Sequence, residues 1–452
     1  MPQSSFISMN WSLVRDEAVG YLGDLIRINT VNPPGNESAA CEYLARVLAR
    51  EEIDATILET APGRGNLVAR LRGDGRAAPL LLMAHLDVVP VEAARWKYDP
   101  FGGEIHDGFM YGRGALDTKD LVALELAVLL WLKRNQVPRA RDIIFMANAD
   151  EEAGGHFGAA WMAREHSELI RAEYAINEGG GFGANILGKR IYTIQTGEKG
   201  TARFTLRAFG KPGHASIPQR DNAVLKLARA LEILGDADFP MHVSVIARNY
   251  VEGLANALGG NVAASLRQVL DAKRGKRALE TLPLDDGMRS LLYAMLHNTA
   301  TPTKLNAGGK INVIPSVAEA QVDARLVPGQ TAETFLRELR AALGDEYEIE
   351  FHQPTTQGLQ ADPQSPLYDT MVRVLKQHDP AAIVLPDLVV GATDARHITK
   401  LGTKVYGFCP MFDDASEMER VHGDDERIRL NNVGFGARVL YEVVSEFARV
   451  SE

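Results

Sequence analysis

Apolar residues recur along the chain with two different periods. Helical spacing is found in three long stretches, at 11–30, 37–52 and 119–135. Short runs that are almost wholly apolar lie between and after them, at 78–87, 143–149 and 172–177. Such runs are typical of strands that helices cover on both faces. Strands alternating with helices predict an α/β fold with a mostly parallel sheet sandwiched by helices.

The pattern changes near residue 197. From there the chain reads as a strand, a helix, two strands separated by Pro315, a second helix and a last strand. This order predicts an inserted α+β (ferredoxin-like) domain at 198–354. The first domain is then discontinuous, with residues 1–197 and 355–452. Residues 240–305 are an addition of mostly helical pattern, to which the sequence assigns no role.

Length and charge narrow the class of protein. A chain of 452 residues is long enough for two domains. Its formal net charge of -10 argues against a nucleic-acid partner, which would favour a basic surface. No apolar stretch approaches the roughly 20 residues that span a bilayer, and the first residues do not resemble a signal peptide. Two cysteines fit a reducing compartment. We therefore expect a cytoplasmic protein that binds neither membranes nor nucleic acid.

Polar residues follow the apolar runs at the point where each strand should end. His85 and Asp87 close the first run, Glu151 and Glu152 follow the second, and Glu178 follows the third. Carboxyl ends of parallel strands meet at one edge of a sheet, where ligand sites form. We therefore expect these side chains to be neighbours. Each of them alone also fits an ordinary turn or helix start, so the prediction depends on their joint occurrence.

Imidazole and carboxylate groups without a thiolate suit zinc, cobalt or manganese. Asp117, in a glycine-containing loop, and His422, near the C-terminus, would extend this set of ligands. Asp87 could accept the second ring N–H of a metal-bound His85 and fix its tautomer. Of the adjacent pair Glu151 and Glu152, one could bind metal while the other serves as general base.

Eight short motifs resemble one known family, the co-catalytic zinc aminoacylases and carboxypeptidases. That family includes acetylornithine deacetylase, succinyl-diaminopimelate desuccinylase and the glutamate and Gly-X carboxypeptidases. The motifs are HLDVVP (85–90), YGRGALDTK (111–119), DEEAGG (150–155), NEGG (177–180), GKPGHAS (210–216), NVIP (312–315), GATDAR (391–396) and HGDDERI (422–428). The long forms at 112–119 and 422–428 look most like the Gly-X carboxypeptidase and N-fatty-acyl amino acid hydrolase branch.

The resemblance implies roles for the residues at the strand ends. It implies two Zn²⁺ per subunit, with Co²⁺ or Mn²⁺ as alternatives. His85 and Glu178 would bind one ion, Glu152 and His422 the other, and Asp117 would bridge them. Glu151 would be the general base, and Asp87 would orient His85.

The inserted domain would be a lid that also forms a homodimer. The resemblance implies that His214 stabilises the oxyanion in a neighbouring subunit, or within its own chain if the 240–305 addition blocks the usual dimer edge. Asn312 and Arg325 would bind a substrate carboxylate, as a planar guanidinium can. Gly391 and Thr393 would contact substrate. Arg396 would be a second carboxylate anchor or would pair with Asp394.

The expected activity is hydrolysis of an amide bond next to an amino acid with a free carboxylate. The substrate would be a small N-acyl amino acid, as for an aminoacylase, or a short peptide, as for a carboxypeptidase or dipeptidase. A metal-dependent binding protein without turnover is a third alternative. Glu151 argues against it, because such a protein has no need of a general base.

Overall fold

A computed structural model describes residues 9–449. They form two compact units. The first comprises the chain up to Gln195, Ala361–Leu385 and the chain from Thr393 onward. The second comprises Thr196–Gln360 and Pro386–Ala392. The short segment 386–392, which the sequence placed in the first domain, joins the second unit because its backbone pairs there: Lys199 N donates to Val389 O at 3.0 Å.

The helices alternate with strands at both ends of the chain. The helices are α1 Trp11–Arg27, α2 Glu37–Arg50, α3 Lys119–Arg134, α4 Ala159–Glu165, α5 Ser167–Ile170, α6 Ala223–Gly235, α7 Val245–Leu258, α8 Gly260–Val269, α9 Gly275–Glu280, α10 Asp286–Leu296, α11 Ala332–Leu343, α12 Pro366–His378, α13 Ala395–Ile398, α14 Ala415–Met418 and α15 Leu430–Arg449. The strands are β1 Ala55–Glu59, β2 Gly65–Leu71, β3 Leu80–His85, β4 Glu104–His106, β5 Phe109–Tyr111, β6 Ile143–Asn148, β7 Tyr174–Asn177, β8 Phe182–Ile186, β9 Lys189–Glu198, β10 Gly200–Thr201, β11 Phe204–Phe209, β12 Gly213–His214, β13 Thr299–Ala307, β14 Val313–Ile314, β15 Val317–Leu326, β16 Glu348–Phe351, β17 Leu359–Gln360, β18 Ile383–Val389, β19 Lys404–Gly407, β20 Met411–Phe412 and β21 Arg427–Arg429.

The first unit is built around one large sheet with the strand order β1-β2-β6-β3-β7-β19-β9-β8-β20. Its centre, β6-β3-β7-β19, is parallel. Antiparallel pairs flank this centre at β2–β6 and β9–β19. Every residue of β3 and β6 is buried, as the uninterrupted apolar runs predict. The expected α/β architecture with a parallel core is therefore confirmed.

Helix α3 is enclosed in the apolar core of this unit. It packs between α1 and α15 and against β3 and β6. Thirteen of its sixteen residues are buried, from Lys119 to Leu132. A helix that is apolar on nearly all sides is stable only when it is enclosed in this way. Its first turn is consequently fixed, and that turn directly follows the loop that carries Asp117.

The second unit has a separate antiparallel sheet. Strands β11 and β15 pair in its centre, with β16 beside β11 and β13 beside β15. Helices α6 and α11 pack together, and α6 covers β11 and β15. Both helices begin at polar caps, since Asn222 accepts from Val224 N and Thr331 from Thr334 N. The 240–305 addition forms α7–α10 and most of β13.

Neither cysteine is disulfide-bonded, and both are buried. None of the helices formed by residues 9–449 combines the length and apolar character that a membrane crossing needs.

Candidate metal centre and active site

The predicted strand-end residues meet at one edge of the central sheet. Strands β6, β3 and β7 are direct neighbours, and His85 at the end of β3 lies opposite Asn148 at the end of β6. The chain leaves β6 into a turn that holds Glu151 and Glu152, and leaves β7 directly into Glu178. Parallel pairing therefore brings together side chains that are far apart in sequence.

Asp117 lies between the two histidines. Its Oδ1 is 3.0 Å from His85 Nε2, and its Oδ2 is 3.0 Å from His422 Nε2. Each oxygen of one carboxylate thus faces a different imidazole. The loop before α3 holds Asp117, and the loop before β21 holds His422. This is the arrangement that a bridging ligand requires.

Each histidine also faces a carboxylate of its own. His422 Nε2 is 3.1 Å from Glu152 Oε1, and His85 Nε2 is 3.6 Å from Glu178 Oε2. Glu151 shares the second group, because its carboxylate and the ligand atoms of His85 and Glu178 all lie within 4.8 Å of one another. The five predicted metal ligands and the predicted base therefore form one cluster.

The pKa values of several groups in this cluster are strongly shifted. Burial raises the pKa of Glu151 well above its usual range, and the charge of Glu178 raises it further. Burial also works against ionisation of Asp117, but hydrogen bonds from His422 and His85 outweigh it and lower the pKa of that carboxyl. The same contacts help raise the pKa of His422 to about 10. Carboxylates this close together repel one another unless positive charge lies between them. Protonated histidines or divalent cations can supply that charge.

Asp87 supports both halves of the cluster. Its backbone carbonyl accepts from His85 Nδ1 at 2.9 Å, while its carboxylate lies 3.5 Å from the same nitrogen. The carbonyl can only accept, so Nδ1 carries a hydrogen, and Nε2 is the ring nitrogen that faces Asp117. The Asp87 carboxylate accepts instead from the backbone N–H groups of Glu151, at 3.0 Å, and Glu152, at 3.2 Å.

A buried polar layer beneath Asp87 was not foreseen from the sequence. Asn32 Nδ2 donates to Asp87 Oδ2 at 2.8 Å and to Asp150 Oδ1 at 3.0 Å. Arg64 Nη2 donates to Asp150 Oδ1 at 2.8 Å and to Glu37 Oε1 at 2.9 Å. The sequence signal that could have revealed this layer is a polar residue beside proline or glycine. Asn32 lies in VNPPGN and Arg64 in PGRGN.

The 393–397 segment lies beside the cluster. Thr393 Oγ1 accepts from Asn177 Nδ2 at 3.1 Å. Arg396 Nη2 is 3.5 Å from Glu151 Oε1, whereas Asp394 accepts from Asn148 Nδ2 at 2.6 Å. Arg396 is therefore beside the Glu151 carboxylate, whereas the pair expected with Asp394 is not among the ion pairs of the described residues. Its expected role as a substrate-carboxylate anchor stays a prediction.

Close approach of this segment to the DEEAGG turn explains a glycine in that turn. Gly155 has φ +74°, and a Cβ there would lie 2.5 Å from Asp394 Oδ1. Any larger residue would therefore be strained and would push the two segments apart.

The predicted lid residues lie in the second unit. His214 and Asn312 are brought together by a short ladder, in which His214 pairs with Val313 and Ala215 N donates to Asn312 O at 3.0 Å. Arg325 lies on β15, where its Nε donates to Asp323 Oδ1 at 2.6 Å. Gly391 also belongs to the second unit, in the 386–392 segment.

Comparison with known families identifies the family of the chain. The family model for peptidase family M20/M25/M40 matches residues 81–446. The chain belongs to the M20 peptidase family. This match spans every predicted ligand of the cluster, from His85 to His422, and confirms the resemblance read from the motifs. M20 proteins are metal-dependent hydrolases, and the chain is therefore an enzyme of that class.

Two M20 relatives are named for reactions on acylated amino acids. The N-fatty-acyl-amino acid synthase/hydrolase PM20D1 of Bos taurus is 30% identical over 419 residues, which cover 89% of this chain and 81% of that protein. Aminoacylase-1 of Homo sapiens is 27% identical over 413 residues, covering 89% of this chain and 88% of that protein.

A solved M20 structure has the same fold. The M20 family metallo-carboxypeptidase Sso-CP2 from Sulfolobus solfataricus gives a TM-score of 0.71 at 19% identity. The comparison covers 96% of this chain and 100% of the other. At this identity, the similarity concerns the fold alone.

Proposed function

We propose that this M20 enzyme is a two-metal amidohydrolase that cleaves the amide bond of N-acyl amino acids with a free carboxylate. One observation carries the proposal. Asp117 offers one oxygen to His85 and the other to His422, at 3.0 Å in each case. A carboxylate between two imidazoles, each with a further carboxylate beside it, is the ligand set of a paired divalent site.

The residues fit two divalent cations of borderline hardness. The donors are imidazole nitrogens and carboxylate oxygens, which favour Zn²⁺ and also accept Co²⁺ or Mn²⁺. His85 and Glu178 would hold one ion and His422 and Glu152 the other, with Asp117 shared. When bound, such ions act as Lewis acids toward a carbonyl group and make water a better nucleophile near neutral pH.

Glu151 would act as general base. Its backbone N–H is held by Asp87, and its side chain lies beside His85 and Glu178 without being needed as a ligand. The carboxylate would take a proton from the attacking water and deliver it to the nitrogen of the leaving amino acid. A base of this kind is most effective when its pKa lies near the working pH, and burial moves Glu151 in that direction.

Residues of the second unit would also act on the substrate. His214 Nδ1 accepts from Ser216 N at 3.2 Å, so the ring hydrogen is on Nε2. Nε2 can then donate to the oxyanion that develops on the scissile carbonyl. Arg325, with Asn312, would bind the substrate carboxylate. Gly391 and Thr393 complete the proposed contacts.

Assembly and location are also part of the proposal. We propose a homodimer formed through the second unit, where β13 is an edge strand with exposed residues such as Leu305. His214 would then act in the neighbouring subunit. Two free, buried cysteines support a cytoplasmic location.

A substrate panel tests the proposed activity. Protein loaded with Zn²⁺ would receive N-acyl amino acids with short and long acyl chains, dipeptides, and C-terminally amidated copies of each, with products measured by mass spectrometry. Cleavage of N-acyl amino acids but not of their amides supports the proposal. Preferred cleavage of dipeptides would support a carboxypeptidase or dipeptidase instead. Absence of turnover with both metals bound would indicate a narrower amide substrate outside this panel.

A further inference from the structure

Two loops that carry metal ligands are joined by one buried ion pair. Asp117 lies on the 112–118 loop and His422 on the 422–426 loop, and the two loops are more than 300 residues apart in sequence. Arg113 comes from the first loop and Glu426 from the second, and their side chains form a salt bridge. The two residues are 2% and 0% exposed, respectively. Neither would contact substrate or metal in the proposed function.

Glu426 holds the backbone around Asp117. Its Oε1 accepts from the N–H groups of Gly114, at 3.1 Å, Leu116, at 2.7 Å, and Asp117, at 3.2 Å. Three converging donors fix the path of this loop. The bridging carboxylate is thus positioned by a residue that lies only four places beyond the other loop's ligand, His422.

Arg113 holds the backbone around His422 in return. Its Nη2 donates to His422 O at 3.2 Å and to Gly423 O at 2.9 Å. His422 has φ 62°, a left-handed conformation that is uncommon for a residue with a side chain. Such a conformation persists only where neighbouring groups enforce it. The bonds from Arg113 supply part of that enforcement.

We infer that Arg113 and Glu426 are positioning residues that set the spacing between Asp117 and His422, and so the affinity for the second metal ion. The inference rests on the proposed two-metal function. Each residue binds the backbone of the loop opposite its own, so neither loop can shift without breaking bonds to the other. Groups that orient metal ligands in this way commonly change metal affinity by about 10- to 100-fold when they are replaced.

The test measures metal binding and does not depend on turnover. Metal-free wild-type protein and the E426Q variant would be titrated with Mn²⁺, with free Mn²⁺ counted by electron paramagnetic resonance. We expect wild type to bind two ions, and E426Q to bind the second ion 10- to 100-fold more weakly. If E426Q does not fold, R113K gives the same readout. Lysine keeps the charge but has one nitrogen, where arginine uses Nη1 for Glu426 and Nη2 for the two carbonyls.

The matched control is D142N. Asp142 also pairs with an arginine, Arg70, and accepts from a backbone N–H, that of Gly73 at 2.8 Å. It precedes β6 and therefore lies at the opposite edge of the sheet from His85. We expect D142N to lower the melting temperature without changing either Mn²⁺ affinity.

Two results would overturn the inference, and they can be told apart. If E426Q and R113K lose thermal stability as D142N does, yet bind both ions as wild type does, the pair is merely structural and the proposed function is unaffected. If wild type itself binds fewer than two ions, the two-metal proposal fails, and the inference fails with it.

Discussion

The Arg396 guanidinium lies 3.5 Å from the Glu151 carboxylate, and both side chains are largely withdrawn from solvent. Burial and the nearby charge of Glu178 raise the pKa of Glu151, while Arg396 and His85 lower it. The affinity of the proposed base for a proton is therefore set by opposing neighbours. Of the two groups that lower this pKa, His85 is a proposed metal ligand and Arg396 is not.

Replacing Glu151 by glutamine should strongly reduce turnover and spare metal binding. Gln keeps the shape of the side chain but cannot take a proton from water. Loss of a general base costs about 10²- to 10⁴-fold in rate. We expect kcat to fall in that range while the two metal affinities stay within a few-fold of wild type. E152Q is the contrasting variant, because it should weaken metal binding. Full activity of E151Q would remove Glu151 from the mechanism.

Replacing Arg396 by methionine should move the acidic limb of the pH–rate profile. Arg396 lowers the pKa of Glu151, so its removal lets that pKa rise. The base is then protonated up to a higher pH, and activity appears only above that pH. The measurement is kcat/KM against pH for wild type and R396M. An unshifted limb together with a raised KM would instead identify Arg396 as an anchor for the substrate carboxylate.

Metal binding near neutral pH should release protons. Hydrogen bonds to Asp117 and Glu152 raise the pKa of His422 to about 10, and carboxylates also raise that of His85. We therefore expect the His422 imidazole to hold an extra proton at pH 7.5 in the metal-free protein, and the pKa of His85 is shifted in the same direction. A metal ion can bind only the deprotonated ring nitrogen. We expect affinity to fall as pH falls.

Calorimetry in two buffers with different ionisation enthalpies measures this release directly. The apparent binding enthalpy should change with the buffer, with about one proton released for each histidine that becomes a ligand. The H422Q variant should release fewer protons than wild type. Equal apparent enthalpies in both buffers would show that the histidines are already neutral.

The strand-end part of the site could be predicted because it depends on one topological rule. His85, Glu151, Glu152 and Glu178 follow buried parallel strands, and such strands end at a common edge. Asp117 and His422 lie on loops, and no periodic pattern reports where a loop goes. Their place came from the resemblance of short motifs to the family.

The buried residues that hold the site in place could not be predicted, because their partners are far away in sequence and meet them only in the folded chain. Arg64 and Glu426 look like ordinary charged surface residues in sequence, yet both are buried. Their partners are 86 and about 310 residues away in sequence. The edge strand β13 was missed for a related reason. Most of its residues are exposed, so its sequence lacks the apolar alternation of a half-buried strand.

Glu37 provides the last prediction, which concerns stability. Its side chain is fully buried, and burial together with the charge of Asp87 raises its pKa to about 7. The unfolded chain binds this proton only below about pH 4.5, whereas the folded chain holds it up to about pH 7. The folded state therefore binds more protons in this window, and Glu37 makes stability fall as pH rises through it.

The variant E37Q should consequently gain stability relative to wild type as pH rises from 5 to 8. Its amide is neutral throughout and can still accept from Arg64. The relative gain should be at most about 3 kcal/mol, since each unit of pKa shift corresponds to about 1.4 kcal/mol. The measurement is the free energy of unfolding of metal-free protein at both pH values. D142N is the control, because the pKa of Asp142 is lowered and the difference between D142N and wild type should stay constant over this window. A difference between E37Q and wild type that is also independent of pH would show that Glu37 is ionised in the folded protein at pH 5, held by Arg64.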